Sequence, residues 1–411
     1  MSKIDVLVIG AGPAGSVSSA ILNKAGLNVR VVEKEKFPRF VIGESLLPRC
    51  MEVLEDANLL DAIKAKKFQQ KSGAKFYRDG TIFDLNFSDK FTQGWNWTWQ
   101  VPRAEFDLAL IEEVAKRGVP VDFETTVTDI QFNDDESSVT TVQHKDGTTE
   151  KIEAKFIVDA SGYGRVIPRL FNLDKPSVMG ERRAVFAHLK DPNRYHSNAD
   201  EPDRITIISY APGAWAWVIP FSNGNTSVGF VSNFGFFEQF KGDLKEQFIA
   251  LAKNNGYTSP RFDNVEFVME PRKLEAWSAT TDKFYGKGYV LVGNVTEFLD
   301  PIFSSGVMFA TVSSHIASKL VVKKFQGESV DWEQDYTKVV QQGVDVFRSY
   351  VTTWYDGTLE KIFYAKDSNP EIKRQICSVL AGYVWDKNNP CVDRHETLLR
   401  TMAKVVEIQE S

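Results

Sequence analysis

The chain opens with Ile4-Asp5-Val6-Leu7-Val8-Ile9-Gly10-Ala11-Gly12-Pro13-Ala14-Gly15, the stretch that decides its fold. The apolar run 4–9 predicts a short buried strand, and the glycines that follow predict a tight turn into a helix ending near Gly26. A second apolar run over 28–32 predicts another strand. Together they form a strand, turn, helix and strand unit, which pairs its two strands in parallel.

Each glycine of this turn has a separate physical role. Gly10 allows the turn, Gly12 lets the backbone approach a pyrophosphate, and Gly15 permits close packing of helix on strand. The helix N-terminus offers free N–H groups to phosphate, and Glu33, at the end of the second strand, can accept ribose hydroxyls. The other residues of the predicted phosphate loop are Pro13 and Ala14. We therefore expect this turn to bind a dinucleotide rather than to be a glycine-rich turn without a ligand. The residues of the turn do not distinguish NAD from FAD.

Composition excludes several classes of protein. The 411 residues, 43% of them hydrophobic, can bury a sizeable core and predict about two or three packed units. A formal net charge of −6 disfavours nucleic acid as a partner. The three cysteines lack metal or disulfide spacing, which favours the cytoplasm, and neither a signal peptide nor stable membrane insertion is expected. The histidines show no metal-ligand spacing, so no metal site is expected.

The order of predicted elements indicates an α/β fold with an inserted second sheet. Asp79-Gly80 predicts a hairpin, and further strands are expected over 184–232. We expect a Rossmann-like parallel sheet binding the dinucleotide, an antiparallel β substrate domain inserted in it, and a helical C-terminal extension. The expected nucleotide domain is discontinuous and comprises 1–74, 100–183 and 276–325. The substrate domain comprises 75–99 and 184–275, and the helical region is 326–411.

Four further segments resemble the flavin-dependent halogenases, and the likeness covers roughly residues 1–360. The segments are 37–48 (Phe-Pro-Arg-Phe-Val-Ile-Gly-Glu-Ser-Leu-Leu-Pro), 71–74 (Lys-Ser-Gly-Ala), 215–220 (Trp-Ala-Trp-Val-Ile-Pro) and 300–307 (Asp-Pro-Ile-Phe-Ser-Ser-Gly-Val). The sequence is most similar to the branch acting on phenols and pyrroles, whose substrates are often tethered to carrier proteins.

This resemblance implies that FAD occupies the glycine turn and that a separate flavin reductase supplies it reduced. Chloride or bromide and O2 are then co-substrates, and hypohalous acid is relayed to a lysine, here Lys71, beside an electron-rich arene. The implied flavin contacts are Arg39, Arg103, Asn294, Asp300, Gly306 and Val307, and the implied halide loop is Ser304, Ser305 and Gly306. Asn294 departs from the pattern, because the superfamily usually has aspartate there.

The resemblance also assigns Glu44 a place beside Lys71, where it could orient the amine. From the residues alone, the favoured interpretation of Lys71 is a solvated lysine of a basic stretch, and the plain interpretation of Glu44 is an ordinary loop carboxylate. Burial would lower the pKa of the lysine and would suit it to hold hypohalous acid.

A predicted strand carries the implied barrier between flavin and substrate, formed by Trp215, Trp217, Ile219 and Pro220. The two tryptophans are two residues apart and so face the same side of the sheet. The plainer interpretation is a pair of core tryptophans, and a near-repeat of the motif at 97–102 shows that tryptophan abundance alone can produce it.

The sequence thus predicts an FADH2-dependent halogenase. The alternatives are an FAD-dependent monooxygenase or dehydrogenase of the same fold, without halide chemistry, and a flavin-binding protein that has lost catalysis.

Overall fold

The computed structural model describes residues 2–176, 179–195, 201–262, 264–367 and 369–410. Its strands are β1 Ser2–Ile9, β2 Val29–Val32, β3 Gln69–Lys71, β4 Gly73–Arg78, β5 Thr81–Asn86, β6 Thr98–Gln100, β7 Val121–Asp122, β8 Thr125–Phe132, β9 Ser138–His144, β10 Thr149–Asp159, β11 Asp174–Lys175, β12 Arg183–Lys190, β13 Thr206–Ala211, β14 Ala214–Pro220, β15 Asn225–Ser232, β16 Phe267–Glu275, β17 Ala279–Thr281, β18 Tyr285–Gly286, β19 Tyr289–Leu291 and β20 Glu297–Phe298. Its α-helices are α1 Pro13–Lys24, α2 Arg49–Asp56, α3 Leu60–Lys64, α4 Arg103–Lys116, α5 Val166–Leu170, α6 Phe234–Phe237, α7 Leu244–Lys253, α8 Ser305–Phe325, α9 Lys338–Tyr355, α10 Thr358–Phe363, α11 Pro370–Leu380, α12 Pro390–Asp393 and α13 His395–Glu410.

The first sheet has a parallel core in the order β19-β10-β1-β2-β7, as a doubly wound nucleotide-binding sheet requires. The apolar residues of β1 are buried because helices and other strands cover both faces of the sheet. Antiparallel additions β8, β9 and β18 extend it. The expected Rossmann-like architecture is confirmed.

The second sheet has seven strands in the order β16-β12-β15-β14-β13-β4-β5. Its neighbours are antiparallel, as expected, except β13 and β4, which pair in parallel because the chain leaves this sheet between them. Strand β16 has alternating half-buried and exposed residues and too weak an apolar pattern to be predicted. Strands β3 and β6 form a separate ribbon beside this sheet.

The C-terminal region is helical, as expected from the pattern after residue 325. Asn369 caps α11 by accepting from the N–H groups of Glu371 and Ile372. Among the described residues, α8 is the one helix long and apolar enough to cross a membrane, and 67% of that apolar stretch is buried inside the protein. Helix α8 packs on α1 and α2, so its apolar character is accounted for by the core.

Candidate active site

A cavity of about 620 Å³ opens where the carboxyl ends of β1, β2 and β10 meet the second sheet. The residues that directly follow these strands line it, namely Gly10, Glu33 and Ala160. Trp215 and Trp217 of β14 line the opposite side. Ligands of open α/β sheets bind at this edge, so the fold places the expected dinucleotide site and the expected barrier on one cavity.

The glycine turn has the close backbone contacts that its sequence predicts. Gly10 has φ +100°, and a Cβ there would lie 2.5 Å from the carbonyl oxygen of Ala160. A Cβ on Gly15 would lie 1.8 Å from the carbonyl oxygen of Gly10. A Cβ on Gly12 would meet only Arg39, at 3.4 Å from its Nη2. Gly10, Gly12, Pro13 and Ala14 line the cavity, whereas Gly15 lies in the packing between turn and helix.

Glu33 lines the cavity with only 6% of its surface exposed. Its carboxylate accepts from the Ala11 N–H at 2.8 Å and from the Glu35 N–H at 2.9 Å. The side chain therefore ties the glycine turn to the end of β2, and it borders the cavity where a ribose is expected.

Two arginines on the cavity wall share one buried carboxylate, that of Asp107. Arg39 Nη1 lies 2.9 Å from it, and Arg103 donates to it from Nε and Nη2 at 2.8 and 3.0 Å. Both arginines, which were expected to contact the flavin, line the cavity. Asp107 is fully buried and was not singled out in the sequence, although its position four residues after Arg103 on α4 predicts such a pair.

The turn before α8 only partly matches its prediction. Ser304, Gly306 and Val307 line the cavity, and Ser304 has φ +59°. Asp300 and Ser305 do not, since each is 2% exposed. Asp300 was expected to contact the flavin and Ser305 the halide. Instead, Asp300 accepts from the Tyr355 hydroxyl at 2.9 Å and from the Ile302 N–H at 3.2 Å.

Three of the four residues predicted to form the barrier lie on the cavity wall. Trp215, Trp217 and Ile219 line the cavity, and the two indole centroids are 5.8 Å apart. Pro220 was expected among them and does not line the cavity, because side chains alternate along β14 and its parity is the opposite one. Its carbonyl oxygen accepts from the Gln100 side chain at 2.5 Å.

Lys71 is buried rather than solvated. Its ammonium nitrogen donates to Ser45 Oγ and to the Leu46 carbonyl oxygen, both at 2.8 Å. Burial lowers the pKa of the amine from 10.5 to about 7. Ser45 lines the cavity and Lys71 does not, so the amine lies one hydrogen bond behind the cavity wall.

Glu44 lines the cavity but does not contact Lys71, contrary to the expectation that it orients the amine. Its Oε1 lies 2.6 Å from His188 Nε2, and its Oε2 is buried without a hydrogen-bond partner in the structure. Glu44 and Ser45 are neighbours on an extended segment, so their side chains point to opposite sides. Ser45, not Glu44, therefore faces Lys71.

Comparison with known proteins supports the resemblance. Residues 3–249 match the FAD binding domain family. A 1H-pyrrole-2-carbonyl-[peptidyl-carrier protein] brominase from Pseudoalteromonas luteoviolacea is 28% identical, with 93% of this chain and 92% of the brominase covered. The structure of the flavin-dependent brominase Bmp2 superposes with a TM-score of 0.82 at 25% identity, covering 99% of this chain and all of the brominase. The chain belongs to the flavin-dependent halogenase family.

A further solved structure is more similar still. A flavoprotein/dehydrogenase from Cytophaga hutchinsonii shares 56% identity and a TM-score of 0.97, with both chains covered completely. As a member of the halogenase family, this chain is an FAD-dependent oxidoreductase.

The lining residues of this halogenase-family protein fit FAD. Asn294 Oδ1 is buried on the cavity wall and has no hydrogen-bond partner among the described residues, and the ribityl hydroxyls of FAD are donors of the kind it lacks. Gly12 leaves room for a pyrophosphate at the N-terminus of α1. We expect Asn294 to hold the ribityl chain by a neutral hydrogen bond.

Each tryptophan of the barrier donates its indole N–H to a hydroxyl group. Trp217 Nε1 donates to Ser227 Oγ at 3.0 Å, and Trp215 Nε1 donates to the Tyr355 hydroxyl at 2.8 Å. Ser227 lies on β15, which pairs directly with β14, whereas Tyr355 lies at the end of α9 and reaches β14 only through the tertiary fold.

The Trp217 indole packs directly against Gly229, its partner on β15. A Cβ at residue 229 would lie 2.2 Å from a carbon of the indole ring. We expect Gly229→Ala to displace the Trp217 ring and to lower FAD affinity and substrate turnover by about tenfold or more, as overpacking forces the ring aside. Gly256→Ala is the control, since a methyl group there meets nothing within 4 Å. Flavin titration and turnover would measure both, and equal values for the two variants would contradict the assignment.

Proposed function

We propose that the protein is an FADH2-dependent halogenase that uses O2 and chloride or bromide to halogenate an electron-rich aromatic, a phenol or pyrrole. The observation that carries this proposal is the buried Lys71 amine, whose pKa of about 7 leaves about half of it uncharged at neutral pH. A simple hydroxylase has no use for such an amine beside its flavin cavity. The Trp215 and Trp217 pair on the same cavity supports the proposal independently.

Reduced FAD, when bound, supplies the electrons for the reaction of O2, halide and a proton to hypohalous acid and water. The chain's contribution begins after that. Neutral Lys71 has a lone pair that can accept a hydrogen bond from hypohalous acid or attack its halogen, so that an N–halogen bond forms while the O–halogen bond breaks and the hydroxide leaves as water with one amine proton. Transfer of the halogen to the arene, with return of the arene proton, regenerates the amine.

The tryptophan pair has a separate task in this proposal. Two buried indoles 5.8 Å apart keep the arene from direct contact with the flavin ring, so that the arene meets the halogen and not the flavin-derived oxidant. Oxidant leaving the cavity meets Ser45, and the amine is the next group behind it.

The partners follow from the same chemistry. The glycine turn is the one GxGxxG unit in the sequence, so a separate flavin reductase is proposed to supply FADH2. The relative from Pseudoalteromonas luteoviolacea acts on a pyrrole held by a peptidyl-carrier protein, which supports a substrate either free or carrier-bound here. Ser304 and Gly306 remain the proposed halide contacts.

The low pKa of Lys71 predicts the pH dependence of halogenation. The protonated amine has no lone pair, so below pH 7 the single-turnover rate of arene halogenation should fall about tenfold per unit, and above pH 7 it should level off. Rapid-quench measurements from pH 5.5 to 8.5 with enzyme-bound FADH2 would test it. A rate that stays flat down to pH 5.5 would contradict a role for the neutral amine.

A second candidate function is an FAD-dependent monooxygenase or dehydrogenase of the same fold. One observation favours it: Lys71 does not itself line the cavity, which extends on the substrate side to Arg272 and Trp277. A substrate seated there would meet the flavin directly.

A reconstituted assay separates the two functions. The purified protein is supplied with FAD, a flavin reductase, NADH, O2 and bromide or chloride, and is offered free and carrier-bound phenols and pyrroles. The proposal expects products with halogen isotope doublets that vanish when halide is omitted. Hydroxylated or dehydrogenated products that form equally without halide would favour the second candidate.

A further inference from the structure

A buried hydrogen-bond chain joins the tryptophan barrier to the turn before α8. The indole N–H of Trp215 donates to the Tyr355 hydroxyl oxygen at 2.8 Å, and that hydroxyl donates to Asp300 Oδ2 at 2.9 Å. The direction is fixed, since an indole N–H can only donate and a carboxylate can only accept. One phenol therefore connects two groups that lie 85 residues apart in sequence.

One end of this hydrogen-bond chain lines the cavity, and the other end holds a turn that leads into the cavity wall. Trp215 lines it directly, and Asp300 Oδ1 accepts from the Ile302 N–H and so caps the 3₁₀ turn Pro301–Phe303. Ser304, which follows this turn, lines the cavity in a left-handed conformation, together with Gly306. The orientation of the cofactor-facing backbone thus depends on a carboxylate that Tyr355 holds.

Tyr355 itself is held from one side by Arg182. The Arg182 guanidinium lies 3.4 Å from the centroid of the phenol ring, and its Nε lies 3.9 Å from Asp300 Oδ2. Burial and the neighbouring Asp300 raise the pKa of Tyr355 well above its usual value, so its hydroxyl keeps the proton that it donates. In such a buried setting each hydrogen bond is stronger than at the surface.

We propose that Tyr355 is a positioning residue that couples the Trp215 indole to the cofactor-facing turn, so that barrier and turn hold one arrangement together. Tyr355 does not line the cavity, so it acts only through these two neighbours. The inference rests on the proposed function and extends it. A barrier is needed only if the oxidant must be kept from escaping or from reaching the arene directly.

The test uses Tyr355→Phe, which keeps the ring under Arg182 and removes both hydrogen bonds. Tyr350→Phe is the control: it makes the same change on the same helix, where the hydroxyl donates to the Cys391 carbonyl oxygen at 3.4 Å and faces the Cys391 thiol, away from Trp215 and Asp300. We expect Tyr355→Phe to weaken binding of oxidised FAD about threefold to tenfold and the control to stay within about twofold of the wild type. Equal FAD affinities for the two variants would overturn the proposal.

A double-mutant cycle gives a readout that mere loss of stability does not move. Trp215→Phe and Asp300→Asn are combined, and the FAD dissociation constant is measured with Tyr355 intact and in the Tyr355→Phe background. We expect the two effects to be non-additive by about threefold or more when Tyr355 is present and additive when it is replaced. Additive effects in both backgrounds would overturn the coupling.

The second readout is the escape of oxidant. In the reconstituted reaction, the ratio of hypohalous acid caught by a free scavenger to halogenated arene should rise at least about threefold in Tyr355→Phe and stay constant in the control. A constant ratio in both would overturn the coupling of barrier to chemistry. Absence of halogenated product in the wild type would instead refute the proposed function, while the FAD cycle would still decide the role of Tyr355.

Discussion

Lys71→Met should abolish arene halogenation, lowering it by about a thousandfold or more, while oxidation of the bound reduced flavin by O2 proceeds at the wild-type rate. The amine is the one group proposed to hold the halogen, and methionine fills a similar volume without a nitrogen. Because the variant removes a buried amine, it should also fold at least as well as the wild type at neutral pH.

The lowered pKa of Lys71 determines how the stability difference between the wild type and Lys71→Met changes with pH. Between about pH 7 and 10.5 the unfolded chain holds a proton that the buried amine lacks. The free energy of unfolding of the wild type should therefore rise with pH through this window relative to Lys71→Met, and the penalty of burial is greatest below pH 7. Denaturant titrations at pH 6.5 and 9.5 would measure it.

Lys90→Met is the matched control, since Lys90 is also buried with a pKa lowered by burial, and bonds to Gly94 and Asn96 away from the cavity. It should halogenate normally. Product formation by Lys71→Met at the original rate, or equal loss in both variants, would remove Lys71 from the mechanism.

Gly15→Ala should give the largest effect on the cofactor. The added methyl group would lie 1.8 Å from the carbonyl oxygen of Gly10, which is backbone and cannot move aside cheaply. We expect loss of FAD binding by at least about a hundredfold, with destabilisation of several kcal/mol as is typical of overpacking at a backbone contact.

Gly26→Ala serves as the comparison, although its φ of +83° adds local strain, because no atom lies within 4 Å of the new Cβ. This variant tests whether replacing any glycine at an end of α1 is enough to abolish FAD binding. Flavin absorbance after purification and thermal unfolding would measure both variants. Retention of FAD at wild-type affinity by Gly15→Ala would contradict the assigned packing role.

The features that the sequence predicted are those set by local physics. The glycine turn depends on backbone geometry within six residues, and the shared face of Trp215 and Trp217 depends only on the period of a strand. The same period should have excluded Pro220, which the resemblance carried in. Pro220 was included because it belongs to the family motif, although the alternation of side chains along a strand places it on the other face.

The features that could not be predicted depend on partners far away in the chain. Asp300 was expected to contact the cofactor, but its carboxylate accepts a hydrogen bond from the Tyr355 hydroxyl instead. Glu44 is turned to His188, which lies 144 residues on, and so leaves Lys71 to Ser45. No local pattern announces such pairs, because they arise where β12 and α9 pack against segments that are distant in sequence.

A two-step experiment measures most directly whether the enzyme itself retains active halogen before the arene is present. The FADH2-loaded protein reacts with O2 and bromide without arene, small molecules are removed rapidly, and a phenol is then added. The account predicts up to about one equivalent of brominated phenol from the wild type and none from Lys71→Met. Brominated phenol in equal amount from both proteins would contradict the relay to Lys71, as would its absence from a wild-type enzyme that brominates in the complete reaction.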